Sequence, residues 1–364
     1  MRRIALAAAV AAALAVLPGG ASAAGCSPLN CAPSQLPLAG GRLLAVRAAG
    51  IDGNVRVLDL RTGRTRWWLP SGMFGGNLLV HADGSLVTWF DAATGARVTS
   101  GVASLHGRFA LVGASQDGRR AVLARTQKLR TTFVIFSPAG QRQVVLGGNQ
   151  WSFDALAGDR LYLLHFVLGG YEVRLYDLGR NRLVRRPLKD PGESDVISGV
   201  AWQRAASVDG RYLFTLYVSD DGHAMVHELD VRAGSARCID LPGGGDFAAS
   251  ITYALALAPD GRTLWAISPA LGQVAAIDVA AHRLRTHFAF AGSQSQTTSA
   301  LAAMDRSGRR LAVTDASHVW VVEPARHRVV RSTPGVALAV GFSPDGGRLW
   351  LVGQRSRVSS LPIR

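Results

Sequence analysis

Residues 254–268 read ALALAPDGRTLWAIS: an apolar run, a Pro-Asp-Gly-Arg turn, then a second apolar run. Asp-Gly between two apolar runs is a strong local signal for a β-hairpin, because the second turn position needs a positive φ that glycine adopts without cost. Weaker copies recur along the chain, as 336–352 (VALAVGFSPDGGRLWLV) and 299–314 (SALAAMDRSGRRLAVT). Further turn signals fall at Asp83-Gly84, Asp117-Gly118, Gly158-Asp159, Asp209-Gly210, Asp260-Gly261, Ser307-Gly308 and Asp345-Gly346. Their spacing brackets the ~40–45 residues of a four-stranded propeller blade.

A second hairpin type follows each of the first. Residues 55–69 (VRVLDLRTGRTRWWL) and 226–241 (VHELDVRAGSARCIDL) are two of its copies, rich in β-formers with an acidic or small residue at the bend. Two hairpins in strict alternation make four antiparallel strands per unit, and repeated units of that kind make an all-β propeller. Residues 108–146, 151–188, 198–241, 250–290 and 299–332 each read as one complete blade. Residues 42–100 hold about six strand candidates, and 336–361 hold two or three. The expectation is seven blades, with the first and last strands sharing one so that no sheet edge stays free; eight follow if the terminal hairpin forms its own blade. Trp89, Trp151, Trp202, Trp265, Trp320 and Trp350 are expected to pack between blades.

The repeats ALALAPDGRTLWAIS, VALAVGFSPDGGRLWLV and SALAAMDRSGRRLAVT resemble the SPDG-type repeats of secreted bacterial propellers of the YVTN and Tol-system type, relatives of the WD-repeat proteins. The resemblance implies a propeller and a binding platform, envelope component or occasional enzyme. It departs from the Tol-system pattern in having no domain ahead of the ring, and from WD repeats in lacking the Trp-Asp dipeptide.

The N-terminus sets the expected address. Arg2 and Arg3 precede an apolar run from Ile4 to Leu17, and Ala21-Ser22-Ala23 offers a small-residue cleavage site, so residues 1–23 read as a secretory signal. Residues 24–41 read as a Pro/Gly-rich lead-in and 42–364 as a single propeller domain. A secreted, periplasmic or envelope location follows. The chain has three cysteines. Cys26 and Cys31 could close a local disulfide in an oxidising compartment. Alternatively, Ala23-Ala24-Gly25-Cys26 is similar to a lipoprotein box, which would make Cys26 a lipid anchor.

Composition excludes several function classes. The formal net charge is +15, carried mostly by arginine. The arginines are spread over most hairpins without a dense run or interleaved aromatics, so nucleic acid is not the expected ligand. No HExxH, Walker loop, GxGxxG after a strand or CxxC occurs in the mature chain, and no catalytic residue is assigned. His223 and His227 are four apart, which on a strand does not ring a metal.

One loop constellation remains. In a propeller the connections from one blade to the next and those between the second and third strands open at the same end. Asp190, Glu193 and Asp195 fall on the first kind, and Asp220, Asp221 and His223 on the second. Their convergence would make a polar-ligand site, with carboxylate oxygens suited to Ca²⁺. The expected function is a non-enzymatic scaffold, a monomer that binds an envelope protein, glycan or anionic polymer through that end. The alternatives are a propeller hydrolase or lyase using acids around His223, and a lipid-held structural component.

Overall fold

The computed structural model describes residues 35–47, 54–191, 193–207, 209–292, 300–315, 317–335, 337, 339–353 and 357–363. The signal segment, Cys26 and Cys31 lie outside the described residues.

Eight antiparallel sheets succeed one another, at 35–69, 73–102, 110–147, 151–183, 200–240, 254–289, 301–334 and 339–362. We number these blades 1 to 8 and letter the strands of each A to D in chain order. Within every sheet, order in space is order in sequence, so each blade is a simple meander. Eight blades replace the expected seven. Two strands account for the difference: Gln35–Leu38, strand A of blade 1, and Met73–Gly75, strand A of blade 2. The first lies in the stretch read as lead-in, where Pro37 suggested a loop; on a sheet-edge strand its missing N–H leaves no ladder bond unmade. The second is too short to show a period of two. Asp83-Gly84, read as an A–B turn, instead joins strands B and C of blade 2 (Leu78–Asp83 and Leu86–Asp91).

The expected shared blade is also corrected. Blade 1 supplies all four of its own strands, and blade 8 pairs three (Ala339–Phe342, Arg348–Val352, Val358–Pro362) with no further strand among the described residues. Packing closes the ring instead. Leu44, Val46, Leu58 and Leu60 of blade 1 form one core with Ala339 and Val352 of blade 8. Trp350 Nε1 donates to the Leu60 carbonyl at 2.5 Å. Gln35 stitches three inner strands together, donating to the Ala302 carbonyl at 2.5 Å and accepting from the Val340 N–H at 3.0 Å. Gln203 does the same farther round, accepting from Leu255 N at 2.7 Å and donating to the Ala300 carbonyl.

The unbroken apolar strands follow from burial on both faces. In Thr263–Ser268, strand B of blade 6, Leu264 and Ala266 enter the core shared with blade 5, while Trp265 and Ile267 enter the one shared with blade 7. Trp89, Trp265 and Trp320 are buried, and Trp151, Trp202 and Trp350 half-buried. Trp89 reaches across to blade 3, donating from Nε1 to the Gly118 carbonyl at 2.9 Å.

The recurring Ser-x-Asp-Gly turn has a definite chemistry. Ser207 Oγ donates to Asp209 Oδ1 at 2.7 Å and accepts from Tyr212 N at 2.8 Å, while Asp209 Oδ1 also accepts from Arg211 N at 3.1 Å. Ser115 with Asp117, and Ser343 with Asp345, repeat the arrangement. These carboxylates satisfy turn N–H groups that would otherwise face solvent unpaired.

Gly118 tests how tightly the inner edges fit. It sits at φ +73°, and a Cβ there would lie 2.1 Å from the Gly75 carbonyl oxygen of blade 2. Gly118→Ala is expected to lower stability by about 2–4 kcal/mol, measured by chemical denaturation. Gly261→Ala, at φ +69° with open space around it, should cost only about 1 kcal/mol.

Candidate functional site

Because every blade is a meander, the D-to-A and B-to-C connections open at one end of the ring and the A-to-B and C-to-D turns at the other. All six residues singled out in the sequence lie at the first end, on two loops with separate anchors. Asp190 accepts from Arg237 Nη1 at 2.9 Å and from Cys238 N at 3.0 Å, so its loop lies along the open edge of strand D in blade 5 (Ser235–Asp240). Lys189 closes that loop on itself, pairing with Asp195 at 2.8 Å and donating to the Glu193 carbonyl at 2.8 Å. Covering an exposed strand edge is a structural task, since bare edges recruit other strands.

The second group is held by bonds of its own. Ser219-Asp220-Asp221-Gly222 is another Ser-x-Asp-Gly turn: Ser219 Oγ donates to Asp221 Oδ1 at 2.5 Å and His223 N to the same oxygen at 3.1 Å. The Ser219 hydroxyl, followed by the His223 N–H, holds the Asp221 carboxyl below its usual range. The turn packs onto the next connection, with Ser250 Oγ donating to the Gly222 carbonyl at 2.6 Å. His223 Nε2 meets a single carboxylate, Asp240 Oδ1, at 3.0 Å. Among the described residues, no group of three or more His, Cys, Asp or Glu is placed to hold a metal ion. Resemblance of SDDG to SQDG and SPDG was the available signal that Asp221 is a turn residue. Adding Ca²⁺ is therefore expected to produce no binding heat and no shift in melting temperature, by titration calorimetry and scanning calorimetry.

A polar seam that sequence reading missed crosses the boundary of blades 4 and 5. Register aligns Arg204, Thr215, His227 and Cys238 in one row over the four strands of blade 5. Arg204 pairs with Asp154 of blade 4, both side chains buried, and donates from Nε to Thr215 Oγ1 at 3.0 Å and from Nη1 to the Asp154 carbonyl at 2.8 Å. Tyr171 of blade 4 meets Tyr217 with ring centroids 5.0 Å apart. The signal was one acid in WSFDALA and one base in VAWQRAA, opposite charges on successive inner strands. A Cys beside a His suggests a nucleophile, but the chemistry here points away from one. Burial, with Asp190 next, pushes the Cys238 thiol up to about 12, and a thiol, unlike a thiolate, is a poor nucleophile.

Burial likewise depresses His227 to about 4, against the opposing pull of Asp154 and Asp190 and with the help of Arg204. Its Nε2 has no hydrogen-bond partner among the described residues. The native state therefore refuses a proton that the unfolded chain accepts below its ordinary value near 6.5. Stability should fall by up to about 3 kcal/mol as pH drops from 6.5 toward 4. In His227→Gln that slope should flatten, as read from denaturation midpoints across the range.

The end itself is unevenly built. Among the described residues, the exposed large apolar side chains are Trp68, Leu86, Val98, Val102, Leu129, Val145 and Leu168. All but Val98 stand at the D–A/B–C end of blades 1 to 4. Leu129 and Leu168 are turn tips, 73% and 102% exposed. Between Asp91 and Asp154 the chain has one acid, Asp117, which is at the opposite end. Blade 3 therefore presents Arg125, Lys128 and Arg130 without a countercharge of its own. They line an open cavity of about 660 Å³ with Leu129, Thr132 and Val145. Its lining comes from blade 3 alone, whose strands B and C (Ala121–Gln127, Arg130–Ser137) are longer than the six-residue strands B and C of blade 2.

No protein-family model matches the chain. No curated protein matches it either. Among solved structures, Kuenenia stuttgartiensis hydrazine synthase is 14% identical with a TM-score of 0.44, over 79% of this chain and 93% of that one. The β-propeller domain of Myceliophteria thermophila Cps50 (Swd1) is 13% identical with a TM-score of 0.45, over 80% and 96%. The chain is a β-propeller of four-stranded blades, and at such distances nothing about ligand or reaction transfers.

Proposed function

We propose that this β-propeller is an exported, non-enzymatic scaffold of the YVTN and Tol-system kind that engages a protein partner through its D–A/B–C end. The observation that carries the reading is the concentration of exposed apolar side chains there, with fully exposed Leu168 among them. Exposed apolar surface gathered at one place marks an interaction surface, whereas scattered single residues need no explanation. A protein partner is favoured over a polyanion because the same end carries the exposed acids Glu193, Asp195, Asp220 and Asp240, which an anionic polymer would avoid. Export is supported by the signal-like residues 1–23; no described helix is long and apolar enough to cross a membrane.

A photo-crosslinking residue placed at Leu129 or at Leu168 is expected to capture protein when irradiated in the producing cell. The same probe at Arg262, on an A–B turn at the opposite end, is expected to capture little. Equal capture at both ends, or none at either, overturns the reading. Mass spectrometry of the mature chain should find its N-terminus between Ala24 and Cys26.

A further inference from the structure

We propose that the partner bound at this end is a second copy of the chain, in a two-fold dimer whose axis passes through blade 4. The proposal rests on the scaffold reading above and names its occupant. Two patches of opposite charge flank blade 4 on one end of the ring. On blade 3, Arg125, Lys128 and Arg130 line the open cavity. On blade 5, the B–C turn presents Asp220 and Asp221, both exposed, and the loop that leads into the blade carries exposed Glu193, its neighbour Asp195 being paired with Lys189. Between the two patches stands Leu168, the tip of the hairpin formed by Arg160–Val167 and Gly170–Asp177.

A surface of that kind is its own complement. When two such ends face each other across a two-fold axis through blade 4, blade 3 of each copy meets blade 5 of the other, and Leu168 meets Leu168. Residue i contacts j while j contacts i, as an isologous interface requires. The reach of the elements fits as well. Blade 4 pairs strands B and C over eight residues each and blade 5 over seven, against four and six in blade 7 (Leu311–Thr314, His318–Glu323). At ~3.3 Å per residue the central hairpins project farthest, so they touch first. The exposed acids of the blade 5 turn are the charge complement of the basic, open cavity on blade 3. Other occupants fit less well: an anionic membrane laid on this end would meet Asp220 and Asp221 along with the arginines.

Sedimentation of the purified full-length mature chain tests this. At about 100 µM, where a micromolar Kd fills the dimer, the wild type should sediment as a dimer at low salt and dissociate at least tenfold more readily at 0.5 M salt. Lys128→Glu with Arg130→Glu makes both patches acidic; Asp220→Lys with Glu193→Lys makes both basic. Each double variant alone should be at least tenfold weaker in self-association. Mixed one to one, they should form a heterodimer of near wild-type strength, because each patch then meets its opposite. Leu168→Asp should weaken every one of these pairs while leaving the melting temperature unchanged. A monomeric wild type, open-ended oligomers, or a mixture no stronger than its parts overturns the dimer. If a monomer still gives crosslinks at Leu129 and Leu168 to a different protein, the scaffold reading stands without it; if those also vanish, both fall.

Discussion

Each sheet in this molecule has two apolar faces, and neither can be left to water. Successive residues of a strand, such as Leu264 and Trp265, serve two different cores, so a blade is stable only when a neighbour lies on each side. Linear stacking would leave the outer faces of the first and last blades exposed. Closure into a ring removes that cost, and the seam of blades 1 and 8 is therefore where the fold is completed. There the chain relies on packing around Leu58, Leu60 and Val352 and on the polar ties of Gln35 and Trp350. A shared strand would have pinned the same boundary with backbone hydrogen bonds.

The turn chemistry divides the charges into two kinds. Carboxylates such as Asp117, Asp209 and Asp345 spend their hydrogen-bonding capacity on turn N–H groups, and Asp221 belongs with them despite its place at the other end. Asp190 is similarly engaged, pinning a loop to an outer strand. What remains for recognition is charge rather than coordination: exposed acids on blade 5 and uncompensated bases on blade 3. A buried polar seam, by contrast, lies between blades 4 and 5, where the Asp154–Arg204 pair and the neutral His227 sit. A buried pair of this type costs desolvation and returns it only when its remaining donors are bonded, as those of Arg204 are to Thr215 and the Asp154 carbonyl.

By itself the sequence determined the blade type. Apolar runs broken by Asp-Gly turns at a recurring period leave few alternatives to a meander repeated round a ring, and five of the eight blades were readable nearly to their bounds. It did not determine their number, since strands as short as Met73–Gly75 carry no periodicity and owe their conformation to the strand beside them. The candidate site was legible to the level of which end its residues occupy, because that follows from strand order alone. Only the tertiary structure decided what holds each acidic loop, one bonded along strand D and the other packed onto the following connection. Only it set a basic cavity, a bare leucine and an acidic turn side by side, because that juxtaposition depends on how far each hairpin outruns its neighbour. Hairpin overhang is a difference between blades packed in space, and no single repeat contains it.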